Sequence, residues 1–557
     1  MSPPRNNILS RRQVEGLIAE GRKIIILDGQ VLKADAWLPF HPGGDKAILH
    51  MVGRDGTDEI QALHSQEAQQ RMQSFIIGKI EGRWTNFVPP IQGGVFRTYV
   101  EGEDDTLASE SSSSSTAPST PIFDPVDPLG DDLRRRRTSD EFSMSSASSI
   151  SLTEKAVSVG AQNPLDSHTA AEILLDIAKY PPLDAASQDL IVQKYRALND
   201  RIRAAGLYNC PYTSYLVEIC RYTLLFFSFL LLLRSGHYAL SALCLGFFWH
   251  QLVFTAHDAG HMGITHSFHI DTCIGIFIAD FLGGLSIGWW KRNHNVHHIV
   301  TNSPEHDPDI EHIPFFAISH RFFQSLRSTY YERIMAYDAF ARFAIQYQNW
   351  LYYPILTMGR FNLYLLSWTH LVFFPGPHKG PAWWHRHLEI AGQVFFWYWF
   401  GYLTVYTSIP TAWDRFVFVM ISHMITAPLH VQITLSHFAM STADLGVDES
   451  FPQKMLRTTM DVDCPAWLDF VHGGLQFQAI HHLYPRIPRH NLRKTQGLVK
   501  EFCEDVKIPY AIYGFVDGNR EVLGRLGEVA KQARMLEVCR SVAAARGVFV
   551  DEHAHDY

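Results

Sequence analysis

Six long apolar stretches, separated by polar sequence, dominate the chain between residues 213 and 435. The first two, 213–233 and 238–256, are each close to the ~20 residues that a helix needs to cross a bilayer. The other four are 271–290, 350–374, 388–409 and 413–435. This pattern predicts an all-α integral-membrane domain.

Outside these stretches the patterns are typical of water-soluble structure. Two apolar runs on either side of the dipeptide Asp28-Gly29 predict a strand pair, and short helices broken by Gly53 and Gly56 follow, which together predict a small α+β module. Residues 186–205 and 520–546 have the apolar spacing of amphipathic helices. From about 100 to 165, Ser, Pro and charged residues predict a disordered tether, because little apolar surface is available to offset the ordering entropy.

These changes of character divide the chain into five predicted segments. They are a small α+β domain (1–95), a disordered linker (96–165), an amphipathic pre-membrane region (166–205), a membrane domain (206–500) and a cytosolic helical tail (501–557). The predicted fold class is therefore multidomain.

Composition and charge exclude several other classes. The net charge of −8 argues against a nucleic-acid-binding protein, which needs a basic face. The seven cysteines are scattered, with no C-x-x-C pair, which is typical of a chain in a reducing compartment. The first residues lack an apolar run, so we expect no cleaved signal peptide.

Three histidine clusters lie just outside apolar segments. They read HDAGH, HNVHH and QAIHH, and they contain His257, His261, His294, His297, His298, Gln478, His481 and His482. On a helix, spacings of three and four place the imidazoles on one face, within reach of one ion. No cysteine lies nearby, and seven histidines exceed the ligand set of one tetrahedral zinc. The clusters therefore predict two metal ions.

Three such boxes at the edge of a membrane domain resemble those of the integral-membrane desaturase and hydroxylase superfamily. The resemblance covers about residues 206–500 and implies a di-iron centre that uses O₂ to remove hydrogen from an unactivated lipid C–H bond. It implies that the seven histidines are the iron ligands and that Gln478 belongs to the catalytic set.

The N-terminal module resembles cytochrome b5. The motif HPGG at 41–44 and the run G-x-D-x-T-x6-H-S from Gly53 match its haem motif, which implies haem b with His41 and His64 as the axial ligands. Gly56 stands where the family usually has alanine. A fused b5 domain and a third box that begins with glutamine are both typical of the front-end desaturases.

Within that group, the runs "HNVHHIVTNSPEHDPDIEHIPFF" and "FQAIHHLYPRIPRHNLRK" are most similar to those of the Δ8 sphingolipid long-chain-base desaturases. The resemblance implies electrons from an NADH-dependent cytochrome b5 reductase and an endoplasmic reticulum membrane protein. Three alternatives remain open: a front-end acyl Δ5 or Δ6 desaturase, a b5-fused lipid hydroxylase, and a membrane-tethered b5 electron carrier without catalysis.

Other candidate residues have two interpretations each. His437 could be an additional metal ligand, with even weight given to a structural role. Asp307 and Asp309 could grip a sphingoid head group or could support metal ligands. Asp258 is expected to orient a ligand imidazole. His306 and His312 are expected to support a ligand or to be structural, His250 to be structural, and His266 and His269 to lie on the surface.

A parity argument fixes the predicted topology. All three boxes must face one compartment to build one site, and the haem domain must share it. We therefore expect four spans, at 213–233, 238–256, 388–409 and 413–435, with 271–290 re-entrant and 350–374 not crossing. Lys291 and Arg292 beside the second box predict a cytosolic active site, with both termini on that side.

Overall fold

The computed structural model describes residues 7–96, 164–374, 376–377 and 379–546. The predicted linker, 96–165, lies outside the described residues except at its two ends. The N-terminal part of the fold, the haem domain (7–96), is a four-stranded sheet with short helices packed against it.

The sheet has the strand order β1-β4-β3-β2, in which β1 is parallel to β4 and the other pairs are antiparallel. Its strands are β1 (Ile8–Leu9), β2 (Ile24–Leu27), β3 (Gln30–Lys33) and β4 (Ile76–Ile80). Asp28 and Gly29 join β2 to β3 with φ angles of 50° and 68°. Positive φ at both positions of a two-residue turn is the geometry that Asp-Gly favours in hairpins, so the predicted strand pair is confirmed.

Short helices complete the haem domain. They are α1 (Arg11–Ala19), α2 (Asp45–Leu49), α3 (Thr57–Leu63) and α4 (Gln66–Met72). The side chain of Ser10 accepts from the backbone N–H of Gln13, while the Gln13 side chain accepts from Ser10 N–H. This reciprocal capping box fixes the start of α1.

The pre-membrane region is helical, as expected. It forms α5 (Pro164–Lys179) and α6 (Ala185–Ala204), and α6 begins at the Asp184 cap. The buried residues of α6 recur at helical spacing, which confirms the amphipathic helix predicted over 186–205.

The helices of the membrane part follow. They are α7 (Tyr212–Arg234), α8 (Tyr238–Gly260), α9 (Phe268–Ile276, extended as a π-helix over Phe277–Leu282), α10 (Ile287–Val300), α11 (Ala339–Ile345), α12 (Gln348–Thr357), α13 (Gly359–Phe373), α14 (His385–Phe396, extended as a π-helix over Trp397–Thr407), α15 (Ala412–Met424) and α16 (Ala427–Phe438).

Among the described residues, three helical segments are long and apolar enough to cross a membrane. They are Tyr212–Arg234, Tyr238–Gly260 and Ala412–Phe438. The pair Phe268–Leu282 and Ile287–Val300 passes the same test only jointly and is bent by 118° at its break. A bend of this size fits the re-entrant course expected for 271–290.

The fourth predicted span, 388–409, does not meet this criterion of length and composition. It forms α14 and its π-helical extension, where Glu389, Gln393 and a run of Trp and Tyr residues dilute the apolar character. The expectation of no crossing at 350–374 fits the structure, because that stretch is divided into α12 and α13 at Met358.

The rest of the chain returns to the side of the haem domain. It comprises α17 (Phe451–Thr458), β5 (Asp461–Asp463), α18 (Asp469–His472), α19 (Gln478–Leu483), α20 (Arg489–Val506), β6 (Ile512–Gly514) and α21 (Phe515–Ala545). The strands β5 and β6 pair in parallel. Val522, Leu526 and Val529 bury one face of α21 against the membrane part, which confirms the amphipathic helix predicted over 520–546.

Candidate metal centre and haem site

The first box (257–261) lies at the end of α8. His257 is in its last turn, and His261 caps the helix through its N–H to the carbonyl of His257. The two imidazole centroids are 4.8 Å apart. The helical spacing therefore places both rings on one face, as the sequence predicted.

The second box (294–298) lies on α10, which begins where the Ser286 side chain accepts from the backbone N–H of Trp289. His294, His297 and His298 are all buried, and the rings of His294 and His298 lie 5.1 Å and 4.9 Å from that of His261 in the first box. The Nε2 atoms of His294 and His298 are 3.1 Å apart. At this distance the two nitrogens can share a hydrogen bond or bind the same cation.

The third box (478–482) forms the short helix α19. The chain enters it through Gly473 and Gly474, both at positive φ, where an added Cβ would collide with Phe254 and Arg489 respectively. The Asp461 carboxylate accepts from the backbone N–H of Ala479 at 2.8 Å and holds the helix start. Glycine is thus required at the turn that delivers this box to the cluster.

The side chains of the three boxes assemble into two groups of potential metal ligands. In each group the ligand atoms all lie within 4.8 Å of one another. The first group is His257, His261, His294 and His481, and the second is His297, His437 and His482. His298 lies between them, with its ring centroid 4.9 Å from that of His481 and 4.3 Å from that of His482.

Buried nitrogen and oxygen atoms in this cluster lack hydrogen-bond partners. They are His261 Nε2, His298 Nδ1, His437 Nδ1, His481 Nε2 and Gln478 Oε1. An unpaired buried polar atom is costly unless something binds it. Seven histidines in two groups, with His298 between them and with open donors, fit two metal ions of the class that imidazole prefers.

Burial also sets the protonation state of these imidazoles. It lowers the pKa of His261, His481 and His482 well below the ordinary value, and the neighbouring histidines lower it further. A low pKa keeps the ring neutral, which is the form that binds a metal ion.

His437, for which the sequence left two roles open, lies inside the second group. Its ring centroid is 4.6 Å from that of His297 and 5.0 Å from that of His482. It is separated from both by a long stretch of chain and stands alone in the sequence, so no spacing could have selected it.

Asp307 and Asp309 both lie next to imidazoles of the second box. Asp307 is fully buried and accepts from His297 Nδ1 at 2.8 Å and from the backbone N–H of Asn302 at 2.7 Å. Asp309 Oδ2 lies 3.5 Å from His294 Nδ1. These contacts favour the interpretation that both carboxylates support metal ligands, and head-group binding at the partly exposed Asp309 stays a prediction.

Asp258 has a different partner from the one expected. Its nearest oxygen is 4.0 Å from His257 Nδ1, beyond hydrogen-bond distance. It pairs instead with Arg489 and accepts from the Tyr215 hydroxyl. Arg489 also pairs with Glu218 of α7, so this buried ion network holds α7, α8 and α20 together beside the first box.

The remaining candidate histidines lie outside the two groups. His306 Nδ1 is 3.0 Å from the Thr329 hydroxyl, and His312 packs on the Phe438 ring. His250 is buried within α8 against Phe254. His266 Nε2 is 2.8 Å from the Tyr208 carbonyl, and His269 is exposed beside His385. These positions agree with the structural and surface roles expected.

The haem domain brings the imidazole rings of His41 and His64 close together. Their ring centroids are 5.9 Å apart, and His41 Nδ1 is held by the Gly44 carbonyl at 2.7 Å. One iron bound to two imidazole nitrogens at about 2 Å each fits such a separation. Burial lowers the pKa of both rings, that of His64 to about 3, which leaves neutral nitrogens for an iron. Gly44 has a φ of 85° and turns the chain beside this site.

Two known protein families match the regions of the chain that contain the two sites. The fatty acid desaturase family matches residues 235–514, and the cytochrome b5-like haem/steroid binding domain matches residues 10–81. A protein of Emericella nidulans named Delta 8-(E)-sphingolipid desaturase is 63% identical over 99% of this chain and 100% of that protein. A protein of the same name from Lachancea kluyveri is 48% identical over 96% of this chain and 95% of its own.

A plant relative shows how far the likeness extends. A Helianthus annuus protein named Delta(8)-fatty-acid desaturase is 37% identical over 62% of this chain and 75% of that protein. The two matched regions contain the haem-ligand pair and all three histidine boxes. The chain therefore belongs to the fatty acid desaturase family and is a membrane desaturase with a fused, haem-binding cytochrome b5-like domain.

Proposed function

We propose that this protein introduces an 8-(E) double bond into the long-chain base of sphingolipids. The similarity to the Delta 8-(E)-sphingolipid desaturases covers nearly the whole chain, haem domain included. We infer the desaturation chemistry from one observation above all: the histidines of the three boxes come together in two groups of imidazoles. A b5 electron carrier without catalysis would have no use for that cluster.

The residues present fit a di-iron centre. His257, His261, His294 and His481 would hold one ion, and His297, His437 and His482 the other, with His298 between them. Gln478, whose Oε1 is buried without a partner, is the remaining donor of the set. Bound there, two irons supply the O₂ chemistry that removes hydrogen from an unactivated C–H bond.

The protein's own contribution is to fix these ligands and to keep the two imidazoles of the third box neutral. The Asp307 carboxylate binds the Nδ1–H of His297, which leaves Nε2 free to face the metal. Burial excludes water and favours uncharged imidazoles in the third box. The overall reaction removes two hydrogens from adjacent carbons, and O₂ takes these with two electrons and two protons to give two waters.

The electrons are proposed to come from NADH through a cytochrome b5 reductase and the His41–His64 haem. His41 and His64 would hold the haem iron through both imidazoles, and such a haem would transfer electrons without binding O₂. The five segments predicted from the sequence remain the proposed domain division.

The site is proposed to face the cytosol from the endoplasmic reticulum membrane. Because all three boxes share one cluster, an even number of crossings must separate the second box from the third. Ala412–Phe438 provides one, and we assign the other to α14 with its π-helical extension, despite its polar residues. Lys291 and Arg292 beside the second box support the cytosolic side.

Expression in a host that lacks Δ8 activity tests the proposal. Mass spectrometry of hydrolysed sphingolipids should show a new trans double bond at C8 of the long-chain base, with fatty-acyl unsaturation unchanged. New Δ5, Δ6 or Δ8 acyl chains would refute the substrate assignment, and a hydroxylated base would refute the reaction. A His294→Ala chain expressed at the same level is the matched control and should give no product.

A further inference from the structure

The two faces of helix α10 contact different parts of the protein. His294, His297 and His298 point from one face into the metal cluster. Val296, Ile299 and Val300 point from the other into the haem domain, where they share one buried core with Ile48 and Met51. Val296 is fully buried and Val300 is 1% exposed. The haem domain and the metal cluster are therefore separated by the thickness of one helix.

Polar contacts surround this apolar core. Arg292 Nη2 of α10 is 2.8 Å from Asp45 Oδ1, at the start of α2. Lys46, the next residue, pairs with Glu332 of the membrane part. The Nε2 of the buried His50 is 2.9 Å from the Thr329 hydroxyl. Charged pairs at the rim fix the register of an interface that an apolar core alone would leave loose.

The two haem ligands lie at this interface. A Cβ added at Gly43, two residues after His41, would be 2.6 Å from the side-chain nitrogen of Asn295, which stands between the ligands of the second box. On the other side, Arg486, four residues after His482, donates to the carbonyl of His64 at 3.0 Å. The backbone of each haem ligand thus approaches a different histidine box.

We infer that this interface is the electron-delivery geometry of the enzyme, with Lys46 and Glu332 as positioning residues. The inference rests on the proposed function, because it assigns the docked haem domain as the direct donor to the metal cluster. Electron transfer falls steeply with distance, so a haem domain that packs directly on the acceptor's own helix is well placed. Each double bond needs two electrons, which a haem held by His41 and His64 would supply one at a time, in two transfers that would each oxidise ferrous iron to ferric.

A zero-length crosslink tests the docked geometry in the purified, haem- and iron-loaded full chain. A carbodiimide should join the Lys46 amine to the Glu332 carboxylate as an amide, which peptide mapping by mass spectrometry detects. The Glu332→Gln chain should not form this crosslink, because it lacks the carboxylate. After chemical reduction, the crosslinked chain should reoxidise its haem with O₂ and substrate at the uncrosslinked rate, within about twofold. Absence of the crosslink, or a crosslinked haem that stays reduced, would overturn the inference.

Charge reversal gives an independent measurement. Lys46→Glu faces Glu332 with a like charge, and it should slow haem reoxidation by about tenfold without altering the haem spectrum. The double variant that combines Lys46→Glu with Glu332→Lys should restore most of the rate of haem reoxidation. Lys79→Glu, the same change at an exposed lysine of β4, should have no effect. Equal rates in all these chains would refute the interface.

The two proposals fail in distinguishable ways. If the crosslink forms and the haem reoxidises but no Δ8 long-chain base appears in cells, the docking stands and the substrate assignment fails. If the Δ8 base appears while the crosslink does not form and Lys46→Glu behaves as the unaltered chain, the function stands and the docking is refuted.

Discussion

The Nδ1 atom of His297 lies 2.8 Å from Oδ2 of Asp307, and both side chains are buried. The carboxylate also accepts the backbone N–H of Asn302 and Asp309, so it is held rigidly by the loop that follows α10. A carboxylate in this position sets which ring nitrogen carries the proton and which faces the metal.

The first prediction follows from that pair. Asp307→Asn replaces an acceptor-only group with an amide that cannot stabilise the same tautomer, so we expect metal affinity or turnover to fall by about 10–100-fold. Iron per chain by elemental analysis and product yield measure the effect. Asp463→Asn, the same change at an exposed position of β5, should leave both unchanged. A fully active Asp307→Asn chain would contradict this role.

Loss of any one metal ligand should abolish most of the enzyme's activity. Single alanine replacements at the eight clustered histidines, His437 included, should each lower turnover by more than about 100-fold, beyond the effect of losing a supporting carboxylate. Gln478→Ala should be severely impaired as well. Iron per chain should approach the single haem iron. His387→Ala, at an exposed histidine of α14, is the control; two or more active ligand variants would show that the ligand set is wrong.

The haem should be the obligate electron donor. His41→Ala or His64→Ala removes one of two axial ligands, so we expect loss of the b-type absorbance spectrum and of product in a host without other b5 proteins. His50→Asn changes a buried histidine of the same domain that is remote from ligation, and its chain should keep the spectrum. Full product from a haem-free chain in such a host would refute the assignment.

The buried ion network should matter for stability more than a similar exposed pair. Arg489→Met leaves Glu218 and Asp258 buried without their cation, which we expect to destabilise the chain by roughly 3–5 kcal/mol. Arg493→Met breaks the pair with Asp469, which is about a third exposed, and should cost at most about 1 kcal/mol. Thermal unfolding of the two variants in the same detergent compares them, and equal unfolding temperatures would count against the network.

Local sequence patterns predict many of the helices and turns of this protein. The Asp28-Gly29 hairpin, the amphipathic helix α6 and the spans α7 and α8 follow from spacing and length alone. The histidine boxes could be found for the same reason, since ligands three and four residues apart share one helix face whatever surrounds them. Motif resemblance added the haem pair and the family.

Tertiary structure decided what no local pattern carries. His437 belongs to the second ligand group because α16 packs beside α10 and α19, a contact between segments far apart in sequence. Asp307 is buried against His297, and Asp309 lies near His294, because the loop after α10 folds back over that helix. The two faces of α10, one on the metal cluster and one on the haem domain, exist only in the packed chain. Spacing determines which side chains share a face, and only packing determines what that face meets.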